Sequence, residues 1–268
     1  MGMFGTGPAK ALQNNAFARA AKMLKCHPAD LEAIAIVESD GFGWFKDGRI
    51  KLLFEKHVFY KRLPATIRKK AVKAGLARRK WVSPRNGGYR DQKGATSRYK
   101  LFEAALKMHE RAGYESASYG TYQIMGFNYK PCGFNSAKEM FEAFLTGEQA
   151  QLDAFIAFLR SRRLIVAIRK RDFDLVEKRY NGGGLKGAYA KLMLAASNKL
   201  RRTKWKNWNP NAAIPMAVDP PIPDHVPVTP KQPQKPVNAA PAALVAALSA
   251  LAGTIYAGWD WLTSLIGF

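Results

Sequence analysis

Ten of the fifteen prolines in this 268-residue chain fall between Pro210 and Pro241. Proline fixes the backbone φ angle and has no N–H to donate, so a segment this rich in proline does not continue a helix or an inner strand. We expect residues 209–238 to form an extended, polyproline-like linker. The linker separates residues 1–208, which are long enough to enclose one sizeable hydrophobic core, from a tail at 239–268.

The basic charge of the chain is concentrated before the linker. The sequence has 43 Lys and Arg against 20 Asp and Glu, a net charge of +23, and residues 1–208 hold 41 of the basic and 17 of the acidic residues. Residues 61–100 contain fourteen basic residues and one acid, with Trp81, Tyr89 and Tyr99 between them. This combination is typical of a nucleic-acid-binding surface, and the charge alone also suits an anionic bacterial envelope or an acidic membrane.

The tail is hydrophobic and carries no charged residue from Pro236 to Trp259. As a helix, about 22 such residues reach about 33 Å, close to the roughly 30 Å of a bilayer core. A stripe of small residues at every fourth position from Ala246 is typical of packed membrane helices. We therefore expect residues 239–268 to form a transmembrane or membrane-active helix, with an interfacial or partner-binding helix as the alternatives.

The sequence predicts neither a metal site nor a cofactor. Cys26 and Cys132 are the only cysteines, and they form no C-x-x-C pair or Cys/His cluster. Such a pattern favours two free thiols over a disulfide. The first ten residues lack an apolar h-region, so we predict no signal peptide.

Glu38 is the residue with the most distinctive surroundings. It ends an apolar helical run in which Leu31, Ile34, Ala35 and Glu38 share one helix face. A carboxyl group that continues an apolar stripe is poorly solvated and lies at the negative end of the helix dipole, and both effects raise its pKa. A carboxyl group that is protonated near neutral pH is suited to donate a proton in catalysis. The alternative is a glutamate that merely ends a surface helix.

Residues 1–208 show the pattern of an α+β domain that is mostly α. Asp47-Gly48, followed by alternating apolar residues from Ile50 to Phe54, predicts a small β-hairpin directly after the Glu38 helix. All later elements are predicted to be helical. The predicted helices cover about residues 9–24, 28–38, 98–111, 136–160, 172–180 and 189–200.

Three segments together resemble sequence elements of lysozyme-like folds and lytic transglycosylases. Val37-Glu38-Ser39 resembles the Glu-Ser element that carries the catalytic acid, residues 118–126 resemble the S-x-G-L-M-Q-I-M element, and residues 179–183 resemble the A-Y-N-x-G element. With the segment 37–57, their order and spacing are similar to the N-acetylmuramidase domain of phage endolysins over roughly residues 10–205. The resemblance implies a lysozyme-like helical domain with a small β-hairpin.

The resemblance also implies an activity: hydrolysis, without a cofactor, of the β-1,4 bond between N-acetylmuramic acid and N-acetylglucosamine in peptidoglycan. Glu38 is then the general acid. Five further residues offer hydrogen-bonding groups or flat aromatic faces for a glycan and are expected to bind substrate: Ser118, Tyr119, Gln123, Tyr180 and Asn181. For Tyr180, simple core packing at helical spacing is the alternative.

The identity of a second carboxylate decides the type of reaction. Glu55 follows Glu38 by seventeen residues, at the far end of the predicted hairpin, and we favour it. Asp47 is the other candidate, because its spacing from Glu38 fits the first half of a phage-lysozyme pattern; the Thr of the second half is Leu53 here. A second carboxylate that activates water or stabilises the oxocarbenium ion makes the enzyme a hydrolase. A lytic transglycosylase would use Glu38 alone.

The expected partners are peptidoglycan glycan strands and, through the basic domain and the C-terminal helix, the anionic bacterial envelope or membrane. The protein would be made in the host cytoplasm and act on the cell wall in the periplasm. Two rival hypotheses are a membrane-anchored nucleic-acid-binding protein and a membrane-disrupting protein whose tail is the active part. The first has no helix-turn-helix, zinc-finger or RNP signature, so we predict no specific nucleic acid partner.

Overall fold

The computed structural model describes residues 3–39, 41–180 and 187–214. Most of the predicted linker and the whole predicted tail at 239–268 lie outside these residues. The described helices are α1 (Ala16–Leu24), α2 (Pro28–Val37), α3 (Lys56–Arg62), α4 (Ala65–Lys73), α5 (Ala95–Met108), α6 (Glu110–Glu115), α7 (Ala137–Phe144), α8 (Glu148–Ser161), α9 (Ile165–Lys170), α10 (Phe173–Tyr180) and α11 (Ala188–Arg202). The strands are β1 (Leu52–Phe54), β2 (Ala117–Tyr119) and β3 (Ile124–Met125), and the 3-10 turn Gly126–Asn128 follows β3. Within the described ranges, no helix is both long enough and apolar enough to cross a membrane.

Helix α2 is the buried centre of the helical part. Pro28 occupies its first turn, as predicted, and the His27 Nδ1 atom accepts a hydrogen bond from the Ala29 N–H at 3.2 Å. Proline is tolerated there because the first N–H groups of a helix have no intrahelical partner. Nine of the ten residues of α2 are buried, so the helix has no solvent-facing side. It emerges from the core only at its C-terminal end, where Glu38 follows.

Two buried acids fix the opposite end of α2 against the last helix. Asp30, which is 1% exposed, accepts hydrogen bonds from Ser197 Oγ and Arg201 Nη2, each at 2.5 Å. Glu32 accepts a hydrogen bond from Trp205 Nε1 at 2.6 Å. Buried carboxylates are tolerated when they are paired in this way. The network anchors the helix that carries Glu38.

The three strands form an antiparallel sheet in the order β1-β2-β3. Leu52 lies opposite Tyr119, and Leu53 lies opposite Ser118. Because successive strand residues point to opposite faces, Leu52, Phe54 and Tyr119 share the face that packs into the core, where none of the three is exposed. Leu53 and Ser118 share the other face.

The prediction for this sheet is partly wrong. The turn at Asp47-Gly48 exists: Trp44 and Ile50 form an isolated antiparallel bridge, and Gly48 has a φ of +81°. The main partner of β1, however, is β2, which lies between two predicted helices in a segment where we predicted no strand. Strands of three and two residues, as β2 and β3 are, are too short for an alternating pattern to be recognised in the sequence.

The long helix predicted at 136–160 is divided into α7 and α8. The break lies at Gly147, whose φ of +154° is accessible to glycine and strained for other residues. A Cβ atom there would lie 2.9 Å from Lys10 Cβ, because the N-terminal segment crosses the chain at this point. Residues 9–12 run along this crossing, which explains why the first helix begins at Ala16 and not near residue 9.

The basic stretch 61–100 contains the end of α3, helix α4, a loop and the start of α5. Its aromatic residues are used inside the fold. Tyr99 is fully buried and donates a hydrogen bond to the Ile50 carbonyl at 2.9 Å. Trp81 and Tyr89 are half-buried and bond to each other. The exposed groups of this stretch are therefore mainly its Lys and Arg side chains.

Candidate active site

Glu38 lies at the point where the buried helix α2 reaches the surface. It is the C-terminal capping residue, with φ −91° and ψ −1°, and its N–H donates to the Ile34 carbonyl at 2.9 Å. Leu31, Ile34 and Ala35 on the same helix face are at most 2% exposed, which confirms the predicted apolar stripe. Glu38 itself is half-buried. Its carboxyl group is thus held at the rim of the core, partly shielded from water.

Tyr180 lies within electrostatic range of Glu38. Tyr180 is the last residue of α10, and its ring packs edge-on against Phe155 and Phe158, with centroids 6.1 and 5.4 Å away. Burial and the negative charge of Glu38 raise the pKa of Tyr180 well above its usual range. The phenol of Tyr180 therefore keeps its proton near neutral pH. Asn181, predicted to act with Tyr180, lies outside the described residues.

Ser118 and Gln123 shape the turn between β2 and β3. Ser118 Oγ donates to Gln123 Oε1 at 2.9 Å, and Gln123 Nε2 donates to the Gly120 carbonyl at 2.8 Å. Ser118 is fully buried and Gln123 is 7% exposed. These side chains are already hydrogen-bonded to each other within the turn, and the described atoms give neither one an open face for a sugar.

Tyr119 contradicts its predicted role. The side chain is completely buried, its hydroxyl donates to the Tyr114 carbonyl at 2.7 Å, and its ring packs against Phe102 and Phe141. The physical reason is the strand itself: Ser118 and Tyr119 are neighbours in β2, so they point to opposite faces of the sheet. The prediction that Tyr119 stacks on a sugar ring is wrong.

Glu55 follows β1 and is the N-terminal capping residue of α3. Its backbone N–H donates to the Ser116 carbonyl at 2.8 Å, so the β1–β2 pairing extends to it, on the same face as Leu53 and Ser118. The carboxylate is 4% exposed and accepts a hydrogen bond from the Tyr89 hydroxyl. Glu55 is therefore a buried carboxylate on the sheet face that does not pack into the core.

Asp47, the other candidate for the second carboxylate, forms an ion pair with Arg49. Arg49 Nε and Nη2 both donate to Asp47 Oδ2, at 3.0 and 2.5 Å, and the Arg49 N–H donates to Oδ1 at 3.1 Å. These hydrogen bonds hold the pKa of Asp47 below its usual value. Asp47 thus stabilises the turn it lies in, as expected of Asp in an Asp-Gly turn.

Two residues of α8 that the sequence did not identify hold the turn between β2 and β3. Gln151 Oε1 accepts from the Thr121 N–H at 2.7 Å, and Glu148 Oε1 accepts from Thr121 Oγ1 at 2.9 Å. Gln151 is fully buried. Its position seven residues after Phe144, on the apolar face of the predicted helix, is a sequence signal that would have revealed it, because a buried amide needs hydrogen-bond partners.

The described residues contain no arrangement of three or more His, Cys, Asp or Glu side chains that could hold a metal ion. A half-buried glutamate at the end of a buried helix, together with a small antiparallel sheet in an otherwise helical domain, is typical of the class of lysozyme-like folds.

Comparison with protein families makes the assignment specific. The family model for N-acetylmuramidase matches residues 27–201, and the chain belongs to this family. The match includes both Glu38 and Glu55. Among solved structures, the chain is similar to the crystal structure of Burkholderia AP3 phage endolysin, with a TM-score of 0.61 and 28% sequence identity over 73% of this chain and 72% of that chain. The comparison with curated proteins gave no match.

Proposed function

We propose that this protein is a peptidoglycan-degrading endolysin that hydrolyses the β-1,4 bond between N-acetylmuramic acid and N-acetylglucosamine. The observation that carries the proposal is the N-acetylmuramidase match over residues 27–201, which includes the half-buried Glu38 at the end of α2. The similarity to a phage endolysin supports a role in lysis of the host cell wall. Synthesis in the host cytoplasm and action in the periplasm follow from that role.

Glu38 is proposed as the general acid that protonates the leaving glycosidic oxygen. Its position supports this role, because the end of an apolar helix shields the carboxyl group in part and the side chain is only half-buried. Tyr180 lies within electrostatic range of this carboxyl group and is proposed to orient it. Asn181 is also proposed to contact the substrate, because it belongs to the segment 179–183 that resembles the A-Y-N-x-G element.

Glu55 is proposed as the second carboxylate. Two observations support it over Asp47: it lies on the sheet face opposite the core, and no lysine or arginine donates a hydrogen bond to it among the described contacts. Asp47 is neutralised by Arg49 within its own turn. Ser118 and Gln123 are proposed to support the site by fixing the β2–β3 turn rather than by binding the glycan themselves.

Digestion of purified peptidoglycan tests this proposal. We expect wild type to release fragments with reducing muramic acid ends, detected by mass spectrometry, whereas a lytic transglycosylase would release 1,6-anhydro ends. Glu38→Gln should lower the rate by at least about 100-fold, the smallest usual contribution of a general acid. Glu110→Gln, which changes an exposed glutamate of α6, is the matched control and should retain full activity. Full activity of Glu38→Gln would refute the site assignment.

We further propose that the basic domain and residues 239–268 hold the enzyme on the anionic envelope or membrane. The support is the net charge of +23 and the uncharged stretch from Pro236 to Trp259. Flotation with anionic lipid vesicles tests it: the full chain should bind, and a chain lacking residues 239–268 should lose vesicle binding while still digesting peptidoglycan. Equal vesicle binding by both chains would contradict a role for the tail.

A further inference from the structure

The loop that joins α4 to α5 is attached to the open edge of β1. Gln92 Oε1 accepts from the Phe54 N–H at 2.9 Å, and Gln92 Nε2 donates to the Phe54 carbonyl at 2.8 Å. The Gln92 amide thus pairs with β1 much as a neighbouring strand would. Arg98 Nε donates to the Gln92 carbonyl at 2.9 Å and ties the far end of the loop to α5. These contacts fix the loop directly beside Glu55, the residue after Phe54.

The same loop places a tyrosine on the Glu55 carboxylate. The Tyr89 hydroxyl lies 2.9 Å from both Glu55 Oε1 and Glu55 Oε2. Trp81 Nε1 donates to the Tyr89 hydroxyl oxygen at 3.0 Å. An indole N–H can only donate, so the tyrosine oxygen is the acceptor of that bond, and its own proton is free to point to Glu55. The chain of donors runs from Trp81 through Tyr89 to Glu55.

The Tyr89 hydroxyl is equidistant from the two oxygens of Glu55, so its one proton can be donated to either oxygen. Burial and the charge of Glu55 raise the pKa of Tyr89, so the phenol keeps the proton that it donates.

A histidine and an arginine lie near the contact between Glu55 and Tyr89. His57 Nδ1 lies 3.1 Å from Glu55 Oε2 without forming a hydrogen bond. The Arg78 guanidinium carbon lies 5.6 Å from the centre of the Tyr89 ring. Arg78 Nε and Nη2 are buried and have no hydrogen-bond partner, so the positive charge of Arg78 is not neutralised through those atoms. Lys56, the next residue, is paired with Asp91.

From these contacts we propose that Tyr89, oriented by Trp81, is a positioning residue that holds Glu55 as the fixed, ionised carboxylate of the reaction, leaving the role of proton donor to Glu38. This inference rests on the proposed function, in which Glu55 is the second carboxylate. It gives part of the basic stretch 61–100 a role in the active site. The two carboxyl groups would then differ in role because only Glu55 is held by the Trp81–Tyr89 chain of donors.

Tyr89→Phe tests the proposal because it removes the donor and keeps the ring. A hydrogen bond to a charged group contributes about 1.5–3 kcal/mol, so kcat on a soluble glycan fragment should fall by about 10- to 150-fold. KM should change by less than about twofold, since the substrate contacts remain, an expectation for a residue that acts through another. Trp81→Phe should lower kcat in the same way, by a smaller factor, again with little change in KM.

Tyr99→Phe is the matched control. It also removes a buried tyrosine hydroxyl, one that donates to the Ile50 carbonyl at 2.9 Å, but this bond does not involve a carboxylate. We expect lower thermal stability for Tyr99→Phe with unchanged kcat and KM. Stability measured for all three variants separates folding losses from catalytic losses.

Two further variants separate this inference from the proposed function. If Glu38→Gln and Glu55→Gln are inactive while Tyr89→Phe and Trp81→Phe behave like Tyr99→Phe, the positioning role is refuted and the proposed function stands. If Glu55→Gln retains wild-type kcat while Glu38→Gln is inactive, Glu55 is not the second carboxylate and the positioning role falls with it. A fully active Glu38→Gln overturns the proposed function itself.

Discussion

The side chain of Gln92 occupies the open edge of β1, and its replacement measures how much the sheet depends on that contact. Gln92 is 1% exposed and Phe54 is not exposed at all. Its amide satisfies both the N–H and the carbonyl group of Phe54. In Gln92→Leu the apolar side chain fills a similar space and makes neither hydrogen bond. Both backbone groups of Phe54 are then buried without a partner.

The expected cost follows from those two groups. A buried backbone group that loses its partner costs about 1–3 kcal/mol, so Gln92→Leu should lower the free energy of unfolding by about 2–6 kcal/mol. With a urea m-value of about 2 kcal/mol/M, the midpoint of unfolding falls by about 1–3 M. Tryptophan fluorescence during urea titration measures this shift, and amide hydrogen exchange of Phe54 should accelerate with it.

Lys93→Leu provides the control for this experiment. Lys93 is the next residue, it is exposed, and its replacement should change the free energy of unfolding by no more than about 0.5 kcal/mol. Equal midpoints for Gln92→Leu and Lys93→Leu would refute the reasoning that the amide of Gln92 holds the edge of β1.

Two further predictions concern the glycine and aspartate turns. In thermal unfolding, Gly120→Ala should destabilise the fold by about 2 kcal/mol more than Gly75→Ala. Both glycines have φ near +70°, but only at position 120 would the new Cβ atom clash with Gln151 Oε1. Equal losses of stability in the two variants would contradict this prediction. Asp47→Asn should cost less than about 1 kcal/mol at pH 7, because the Asp47 carboxylate is partly exposed. Its folded-state pKa is lowered by Arg49, so the stabilisation is present above the unfolded-state pKa of about 3.9 and disappears as the pH falls through the folded-state value. A wild-type advantage that persists at pH 2 in urea titrations would refute it.

The sequence predicted the features that depend on local patterns. The helix that ends in Glu38, its proline in the first turn and its apolar stripe are all present, because capping and helical periodicity act within about ten residues. The turn at Asp47-Gly48 is present for the same reason. The resemblance in the segments around Glu38 and Ser118 agrees with the family match over residues 27–201.

The features that the sequence missed depend on contacts between distant segments. Glu55 is in contact with Tyr89, 34 positions later, and Gln151 holds Thr121, 30 positions earlier. The helical and strand periodicities of the sequence do not indicate contacts between residues so far apart. Tyr119 was misassigned because its neighbour Ser118 fitted the same resemblance, and only the strand geometry shows that the two side chains point in opposite directions. In the sequence, the aromatic residues of the basic stretch are also typical of a nucleic-acid-binding surface. In the structure Tyr99 is buried, and Trp81 and Tyr89 are half-buried and bond to each other.

The most direct test of the central claim is a crystal structure of Glu38→Gln with a bound tetrasaccharide of alternating N-acetylglucosamine and N-acetylmuramic acid. We predict that the side chain at position 38 lies about 2.6–3.2 Å from one glycosidic oxygen, the distance required for proton donation. We also predict that the Glu55 carboxylate, still bonded to Tyr89, faces the same sugar linkage. A tetrasaccharide bound elsewhere on the protein, with no glycosidic oxygen near position 38, would contradict the assignment of Glu38 as the catalytic acid.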